Sequence, residues 1–335
     1  MSEKFDIYAI GNALVDTEIE VSDAFLQEMG IQKGMMTLVD RDRQLALIEA
    51  LREHAEPHKQ ASGGSAANTI IAARYFGGRT YYTCKVANDP TGDFYVHDLR
   101  EAGVTSNMMN GSRPDGVSGT CLVMVTPDAE RTMNSFLGIS ETVSEAELDE
   151  AALSASRYAY MEGYLVTSPS GRQAAIRMRE LAHKHGVRTA MTLSDPAMVQ
   201  FFADGLKEML GDGVDLLFCN QDEAMGFTGT DRPEDALEAL RQHAGGVVMT
   251  QGAKGALAHD GKTLHRIEAL PVKAIDSNGA GDMFAGAFLY ALSQGEGYDS
   301  AGRLASAASA RVVSDFGPRL SAEAHLDIRK QILGY

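Results

Sequence analysis

Short apolar runs alternate with amphipathic segments of helical length through the second half of the chain. In chain order, the predicted strands lie at 157–161, 187–192, 214–218 and 246–250, and the predicted helices at 170–185, 232–243, 280–293 and 298–314. Strands separated by helices of this length are typical of a parallel sheet covered on both faces. The second half therefore predicts an α/β fold.

The first half begins in the same way and then changes character. Its predicted elements are strands at 5–11, 14–21 and 80–86 and helices at 65–76 and 91–102. The strict alternation over 14–21 is typical of a half-exposed strand. Two further apolar runs, 117–125 and 130–136, predict a hairpin or a meander with no helix between its strands.

Two stretches in this half, at about 13–60 and 113–136, have a β-rich pattern. We expect them to pair as a small sheet outside the main one, where they would act as a lid. The sequence shows no linker, low-complexity tract or internal repeat. Residues 1–335 are therefore predicted to form a single domain that carries this β-lid.

Composition and charge narrow the function. The 335 residues are 44% hydrophobic, and 30 basic against 46 acidic residues give a formal charge of −16. Such a chain lacks a general basic surface for nucleic acid, and an anionic membrane would repel it. The N-terminus has no apolar signal-peptide core, and three scattered cysteines (Cys84, Cys121 and Cys219) indicate buried thiols in a reducing compartment. We expect a soluble cytoplasmic protein. Any anionic ligand would be bound by a few local groups, such as a helix N-terminus, a single Arg or Lys side chain, or a metal.

The strongest local pattern is Asp276-Ser277-Asn278-Gly279-Ala280-Gly281-Asp282, directly before an apolar helix. The first N–H groups of a helix have no internal partner, and glycine lets a ligand approach them. The amides of Gly279, Ala280 and Gly281 can therefore hold developing negative charge. Asp282, in the same turn, can accept the proton of an attacking hydroxyl, which favours phosphoryl transfer. The structural alternative is an ordinary close-packed helix start.

This run resembles the C-terminal signature of the ribokinase-like (PfkB) carbohydrate and nucleoside kinases. Five further motifs in family order resemble the rest: Gly11-Asn12-Ala13-Leu14-Val15-Asp16, Gly63-Gly64-Ser65-Ala66-Ala67-Asn68, Val86 to Asp93, Asn220-Gln221-Asp222-Glu223, and Thr250 to Gly255. One position departs from the pattern, because Asn88 stands where the family usually has Gly. The resemblance implies a three-layer α/β sandwich with a mostly parallel central sheet and a small β-sheet lid.

The resemblance also implies site residues. Asn12, Asp16, Gly63, Gly64 and Asn68 would bind the substrate, and a carboxylate such as Asp16 can accept hydrogen bonds from adjacent sugar hydroxyls. The implied ATP-binding residues are Asn220, Glu223, Thr250, Gly252 and Gly255. Glu223 would hold Mg²⁺ through water. Structural alternatives remain open: a solvent-facing Asp16, a capping box at Asn220 and Glu223, and a plain hairpin turn after Thr250.

Together these features predict an ATP- and Mg²⁺-dependent kinase acting on a primary hydroxyl of a small molecule. The 276–282 run and the Gly-Gly-Ser start look most like the adenosine kinase branch. Ribokinase, fructokinase and 2-keto-3-deoxygluconate kinase types stay open, as does a non-catalytic nucleoside or sugar sensor. Selectivity would depend on lid residues such as Met36, Met133 or Phe136. Arg131 could reach a phosphate, although a solvated strand arginine is the favoured interpretation. The resemblance allows a monomer or a lid-mediated homodimer.

Overall fold

A computed structural model describes residues 5–52, 59–109, 112–128 and 130–335. Its strands, in chain order, are β1 (Phe5–Ile10), β2 (Leu14–Glu20), β3 (Met36–Leu38), β4 (Lys59–Gly63), β5 (Thr80–Thr83), β6 (Thr105–Ser106), β7 (Gly119–Val125), β8 (Arg131–Phe136), β9 (Ser156–Met161), β10 (Arg188–Thr192), β11 (Val214–Asn220), β12 (Ala244–Thr250), β13 (Ala256–His259) and β14 (Leu264–Ile267). Its helices are α1 (Asp23–Glu28), α2 (Arg41–Arg52), α3 (Ser65–Tyr75), α4 (Pro90–Glu101), α5 (Glu150–Ser154), α6 (Pro169–His185), α7 (Pro196–Leu210), α8 (Gln221–Thr228), α9 (Pro233–Leu240), α10 (Ala280–Ser293), α11 (Tyr298–Val312) and α12 (Ala322–Leu333).

The strands of the described residues form a large and a small sheet. The large sheet has the order β14-β13-β12-β11-β10-β9-β1-β5-β6. It is parallel except at one edge, where β13 and β14 pair antiparallel. In the register, Ile10 lies beside Met161 and Asn220 beside Thr250, so several strands end at the same edge. Ligands of open α/β sheets bind at this carboxyl edge.

Helices cover both faces of the large sheet because its central strands are apolar on both sides. Along β1, Ile7 and Ala9 pack in a core with α3, α4, α10 and α11. Tyr8 and Ile10 point the opposite way, into a second core with helices α5 to α9. This two-residue alternation yields three layers. The predicted α/β class with a mostly parallel central sheet is confirmed.

The small sheet has the order β3-β8-β7-β2-β4, and it joins strands from both stretches that the sequence marked as β-rich. One face packs against α1 and α2 through Ile19, Leu122 and Met124. The opposite face carries Asp16, Cys121 and Met133 and lines a cavity. The antiparallel pairing of β7 and β8 confirms the predicted hairpin.

Some sequence predictions about elements are wrong. The stretch at 13–60 contains helices α1 and α2 as well as strands. Strand β2 is not half-exposed: Asp16 and Glu18 are only 7% and 3% exposed, because Asp16 faces the cavity and Glu18 packs against Asn278, from which it accepts a hydrogen bond. Helix α7 was not predicted, and its periodicity is interrupted by a kink at Phe202. Within the described residues, no helix is both long and apolar enough to cross a membrane.

Candidate active site

A cavity of about 410 Å³ lies between the carboxyl edge of the large sheet and the inner face of the small one. Its size is that of an ordinary small-molecule site. It is lined by twelve of the fourteen residues that were assigned to catalysis or binding from the sequence: Asn12, Asp16, Gly64, Asn68, Asn220, Glu223, Thr250, Gly252, Gly279, Ala280, Gly281 and Asp282. Gly63 and Gly255 do not line it. The fold thus brings together motifs that are spread over 270 positions of sequence.

Helix α10 begins at the cavity with a glycine turn. Gly279 is its N-cap, with a φ of 71° that favours glycine, and a Cβ there would meet Pro318 at 2.5 Å. A Cβ on Gly281 would instead point into open space. The Ala280 N–H donates a long 3.3 Å bond to the Ser277 carbonyl. The amides of the two flanking glycines are therefore the better candidates for contacting an anion.

Asp282 lies in the first turn of α10, half-buried at the cavity. Its Oδ1 accepts a 2.6 Å hydrogen bond from the Ser65 hydroxyl, and its Oδ2 accepts one of 3.2 Å from Asn68 Nδ2. Burial raises the pKa of Asp282, while the bonds from Ser65 and Asn68 and the charges of Arg131 and Arg319 oppose the rise. The carboxylate is held in one orientation with lone pairs free for a further donor.

Asp16 faces the same space from β2. Burial raises its pKa to about 8, the charges of Glu18 and Asp282 add to the rise, and Arg319 and Arg131 oppose it. The solvent-facing alternative for this residue is therefore wrong. Gly63 sits behind it: a Cβ at that position would lie 2.0 Å from the carboxyl oxygen of Asp16. Gly63 thus permits the close approach of β4, without lining the cavity.

Glu162 is a site residue that sequence reasoning missed. It directly follows β9 and is fully buried. Its carboxylate accepts the N–H of Asn12 at 2.6 Å and the N–H of Ala66 at 2.8 Å. Burial raises its pKa to about 7 against these bonds. A glutamate at the end of an otherwise buried strand was the signal available in the sequence. It ties together the two loops that carry Asn12 and Gly64.

Asn220 and Glu223 form a capping box at the start of α8. The Asn220 side chain accepts the Glu223 N–H at 2.8 Å, and Glu223 Oε1 accepts the Asn220 amide at 2.6 Å. Burial raises the pKa of Glu223 to about 8. The structural alternative for this pair is therefore present, and both residues also line the cavity.

The glycine turn after β12 lies beside the capping box. Thr250 pairs with Asn220 across β11 and β12. Gly252 lines the cavity, and a Cβ on it would meet nothing within 4 Å. Gly255 is packed differently, since a Cβ there would meet the Ile267 carbonyl at 2.0 Å. The antiparallel β12–β13 pair is also the hairpin that the alternative predicted.

The described residues contain no group of three or more His, Cys, Asp or Glu side chains placed to hold a metal. Mg²⁺ usually keeps several waters and needs only one or two carboxylates plus substrate phosphates. Glu223 suits such a hydrated ion, because each of its bonded oxygens retains a lone pair. A contact through water also leaves undisturbed the bonds that both oxygens accept from Asn220.

Arg131 enters the cavity from β8, so its interpretation as a solvated strand residue is wrong. It is half-buried, and its Nη1 donates to Asn278 Oδ1 at 3.2 Å. Asn278 in turn donates through Nδ2 to Glu18 Oε1 at 3.0 Å. These bonds connect the small sheet to the turn that precedes α10.

The three lid residues considered for selectivity do not all lie on the cavity face of the small sheet. Met36 and Met133 line the cavity. Phe136 is half-buried and does not, because it is three positions from Met133 and side chains alternate along β8. Its assignment to the selectivity residues is wrong.

The family model described as "pfkB family carbohydrate kinase" matches residues 33–325. The chain belongs to this family. It is therefore an ATP-dependent kinase, and ATP is its phosphate donor.

Three relatives indicate the substrate class within this family. An adenosine kinase from Saccharomyces cerevisiae is 25% identical over 95% of this chain and 97% of its own length. The crystal structure of adenosine kinase from Sinorhizobium meliloti superposes with a TM-score of 0.91 at 33% identity, covering 98% of this chain and 99% of that one. A probable sugar kinase from Rhizobium etli CFN 42 superposes with the same TM-score at 31% identity, covering 98% of both chains. The chain is thus a nucleoside or sugar kinase.

Proposed function

We propose that this kinase phosphorylates the primary hydroxyl of a nucleoside, with adenosine as the first choice. The observation that carries the proposal is the inner face of the small sheet. Its register places Asp16 beside Cys121, Cys121 beside Ser135, and Ser135 beside Leu38. Met133 and Met36 are paired in the next row. A sugar bound at Asp16 would therefore have an apolar wall next to it, which suits a planar base.

The size of this effect can be stated. An adenine that covers about 100 Å² of apolar surface gains about 2.5 kcal/mol at 25 cal/mol per Å². This corresponds to a preference of roughly 100-fold over the free sugar. Ribose alone would leave Met36, Met133 and Leu38 uncovered.

Asp282 is the proposed general base. The acceptor oxygen forms a bond to the γ-phosphorus of ATP, the bond from that phosphorus to the bridging oxygen of ADP breaks, and Asp282 accepts the acceptor's proton. Because the transition state of phosphoryl transfer is loose, the base need not be strong. Gly279, Ala280 and Gly281 would stabilise the negative charge at the N-terminus of α10.

The remaining residues would bind and orient the reactants. Asp16 and Asn68 would accept and donate hydrogen bonds to the sugar beside Asn12 and Gly64, with Gly63 behind them. On the nucleotide side, the proposed contacts are Asn220, Glu223, Thr250 and Gly252, with Gly255 supporting the turn. When bound, Mg²⁺ would neutralise phosphate charge, which matters in a protein of charge −16. Glu223 would hold it through water, and Arg131 would contact the phosphoryl group.

We also propose that residues 1–335 act as one kinase domain, with the stretches at about 13–60 and 113–136 as its lid. The bonds that Asn278 accepts from Arg131 and donates to Glu18 support this role, because they join the small sheet to the proposed anion-binding turn. A closed lid would exclude water from ATP and limit its hydrolysis.

A sugar kinase is the second candidate, favoured by the equal likeness to the Rhizobium etli protein. A non-catalytic sensor is disfavoured, because a sensor has no need of the base or the glycine turn. The test is ADP release with adenosine, inosine, guanosine, ribose, fructose and 2-keto-3-deoxygluconate. The proposal expects kcat/KM for adenosine to exceed that for ribose about 100-fold. A larger kcat/KM for any free sugar would overturn it.

A further inference from the structure

Arg319 lies on the segment between α11 and α12, far in sequence from most residues around the cavity. Its side chain is 11% exposed. It donates from Nε to Asn68 Oδ1 at 3.1 Å, from Nη1 to Asp98 Oδ2 at 2.8 Å, and from Nη2 to the Ser62 hydroxyl at 3.1 Å. One guanidinium thus joins α3, α4 and β4. We propose that Arg319 is a positioning residue for phosphoryl transfer, acting through Asn68 on Asp282.

Arg319 sets the orientation of the Asn68 amide. A guanidinium has five donors and no acceptor, so Arg319 can bond only to the oxygen of that amide. The NH₂ group of Asn68 must then face the other way, where it donates to Asp282 Oδ2 at 3.2 Å. Without Arg319, the amide could turn and present its oxygen to the carboxylate. Arg319 therefore fixes which atom of Asn68 meets Asp282.

Arg319 also helps to hold the loop that carries Gly64. Ser62 precedes the glycine pair, and its N–H donates to Asp98 Oδ2 at 2.9 Å. Its hydroxyl donates to the same oxygen and also accepts from Arg319. Asp98 is thus the charged partner that keeps the guanidinium in place. The same network holds Asn68 and the start of the glycine pair at a fixed separation.

The segment that carries Arg319 also contacts the start of α10. Residues 317–319 pass behind the glycine turn of α10. The Gly317 N–H donates to Asp276 Oδ2 at 3.0 Å, and Pro318 packs against Gly279. Arg319 therefore extends from a segment that already contacts the proposed anion-binding turn. Its position links that turn, Asn68 and the loop that carries Gly64.

Charge adds to the geometry. Around Asp282 the facing ionisable groups come from five elements or their ends: Asp16, Arg131, Tyr160, Glu162, Tyr164 and Arg319. Arg319 and Arg131 are the cations in this set. Loss of Arg319 would therefore raise the pKa of Asp282, and the acid limb of activity would move to higher pH, because the base must be ionised.

The inference rests on the proposed role of Asp282, and the test is a double-mutant cycle. Arg319→Met, Asn68→Ala and the double variant are compared for kcat, for both KM values and over pH. We expect Arg319→Met to lower kcat about 100-fold, the cost of a small misplacement of reacting groups. At a pH above the acid limbs of both variants, the double variant should match Asn68→Ala within about threefold, because Arg319 then acts only through Asn68. The KM for ATP should stay within about twofold.

Two more variants separate positioning from folding. Arg329→Met removes a guanidinium that donates to the Phe76 carbonyl at 2.7 Å and to the Tyr290 hydroxyl, away from the cavity. It should lower Tm with little effect on kcat. Arg319→Lys keeps the charge but cannot bond to Asn68 and Asp98 as a fork, so kcat should fall about tenfold with a smaller pH shift. This variant carries the test if Arg319→Met fails to fold.

Additive losses in the cycle, or a folded Arg319→Met protein with kcat within twofold of the wild type, would overturn the inference. An unchanged acid limb in Arg319→Met would also count against it. Failure of the proposed role of Asp282 looks different, since Asp282→Asn would then keep turnover within tenfold of the wild type.

Discussion

Nucleoside binding should release a proton near neutral pH. In the free protein, burial raises the pKa of Asp16 to about 8. Sugar hydroxyls that donate to this carboxylate favour its ionised form, so binding should lower the pKa. At pH 7 a group with a pKa of 8 is about 90% protonated. Full ionisation on binding would therefore release about 0.9 proton per nucleoside, and affinity should rise about tenfold per pH unit below pH 8.

The assay is isothermal titration calorimetry of adenosine at pH 7 in phosphate, HEPES and Tris, without ATP. The slope of the observed enthalpy against buffer ionisation enthalpy gives the number of protons. In Asp16→Asn the slope should fall to the number of protons that the other titratable groups release. Asp6→Asn is the matched control. Asp6 is buried to a similar extent, but it lies at the end of β1 away from the cavity, where it accepts the Arg79 N–H. A wild-type slope near zero would refute the reasoning.

Three further predictions follow from the same geometry. Met133→Ala should raise the KM for adenosine about tenfold, whereas Phe136→Ala on the opposite face should not, as steady-state kinetics would show; equal effects would contradict the assigned faces. The neutral form of Glu162 contributes stability that is full below pH 4.5 and lost as pH rises through about 7, so Tm should fall as pH rises from 5 to 7.5. Glu162→Gln should make that decline shallower in calorimetric scans, with the remainder due to Asp16 and Glu223, and an unchanged slope would count against the role of Glu162. Chelation should abolish ADP release, and Glu223→Gln should raise the Mg²⁺ concentration for half-maximal rate; insensitivity to chelator would exclude the ion's role.

Much of the site could be predicted because its residues lie in short runs. Asp282 and the glycines before it are local features of a helix start, and Asp16 follows closely on β1 in sequence. Such runs report backbone chemistry that needs no tertiary information. The carboxyl edge of a parallel sheet then brings them together without further specification.

The residues that were missed act through long-range pairing. Glu162 accepts from Asn12, 150 positions away, and Arg319 donates to Asn68, 251 positions away. Neither belongs to a run with a chemical pattern of its own. The burial of β2 was missed for a related reason, since alternating polar residues read the same whether they face water or a polar cavity. Only the packing of the two sheets against each other decides whether these residues face water or a cavity.

The central claim is that Asp282 is the base of this kinase. In Asp282→Asn, the new amide oxygen can accept from Asn68 while its NH₂ donates to the Ser65 hydroxyl, so the site should keep its shape. The matched control is Asp299→Asn, an exposed first-turn aspartate of α11 that pairs with Arg303. We expect turnover of adenosine to fall 10²- to 10⁴-fold in Asp282→Asn, with ATP affinity within about threefold and Asp299→Asn near wild type. Turnover within tenfold of the wild type in Asp282→Asn would contradict the account.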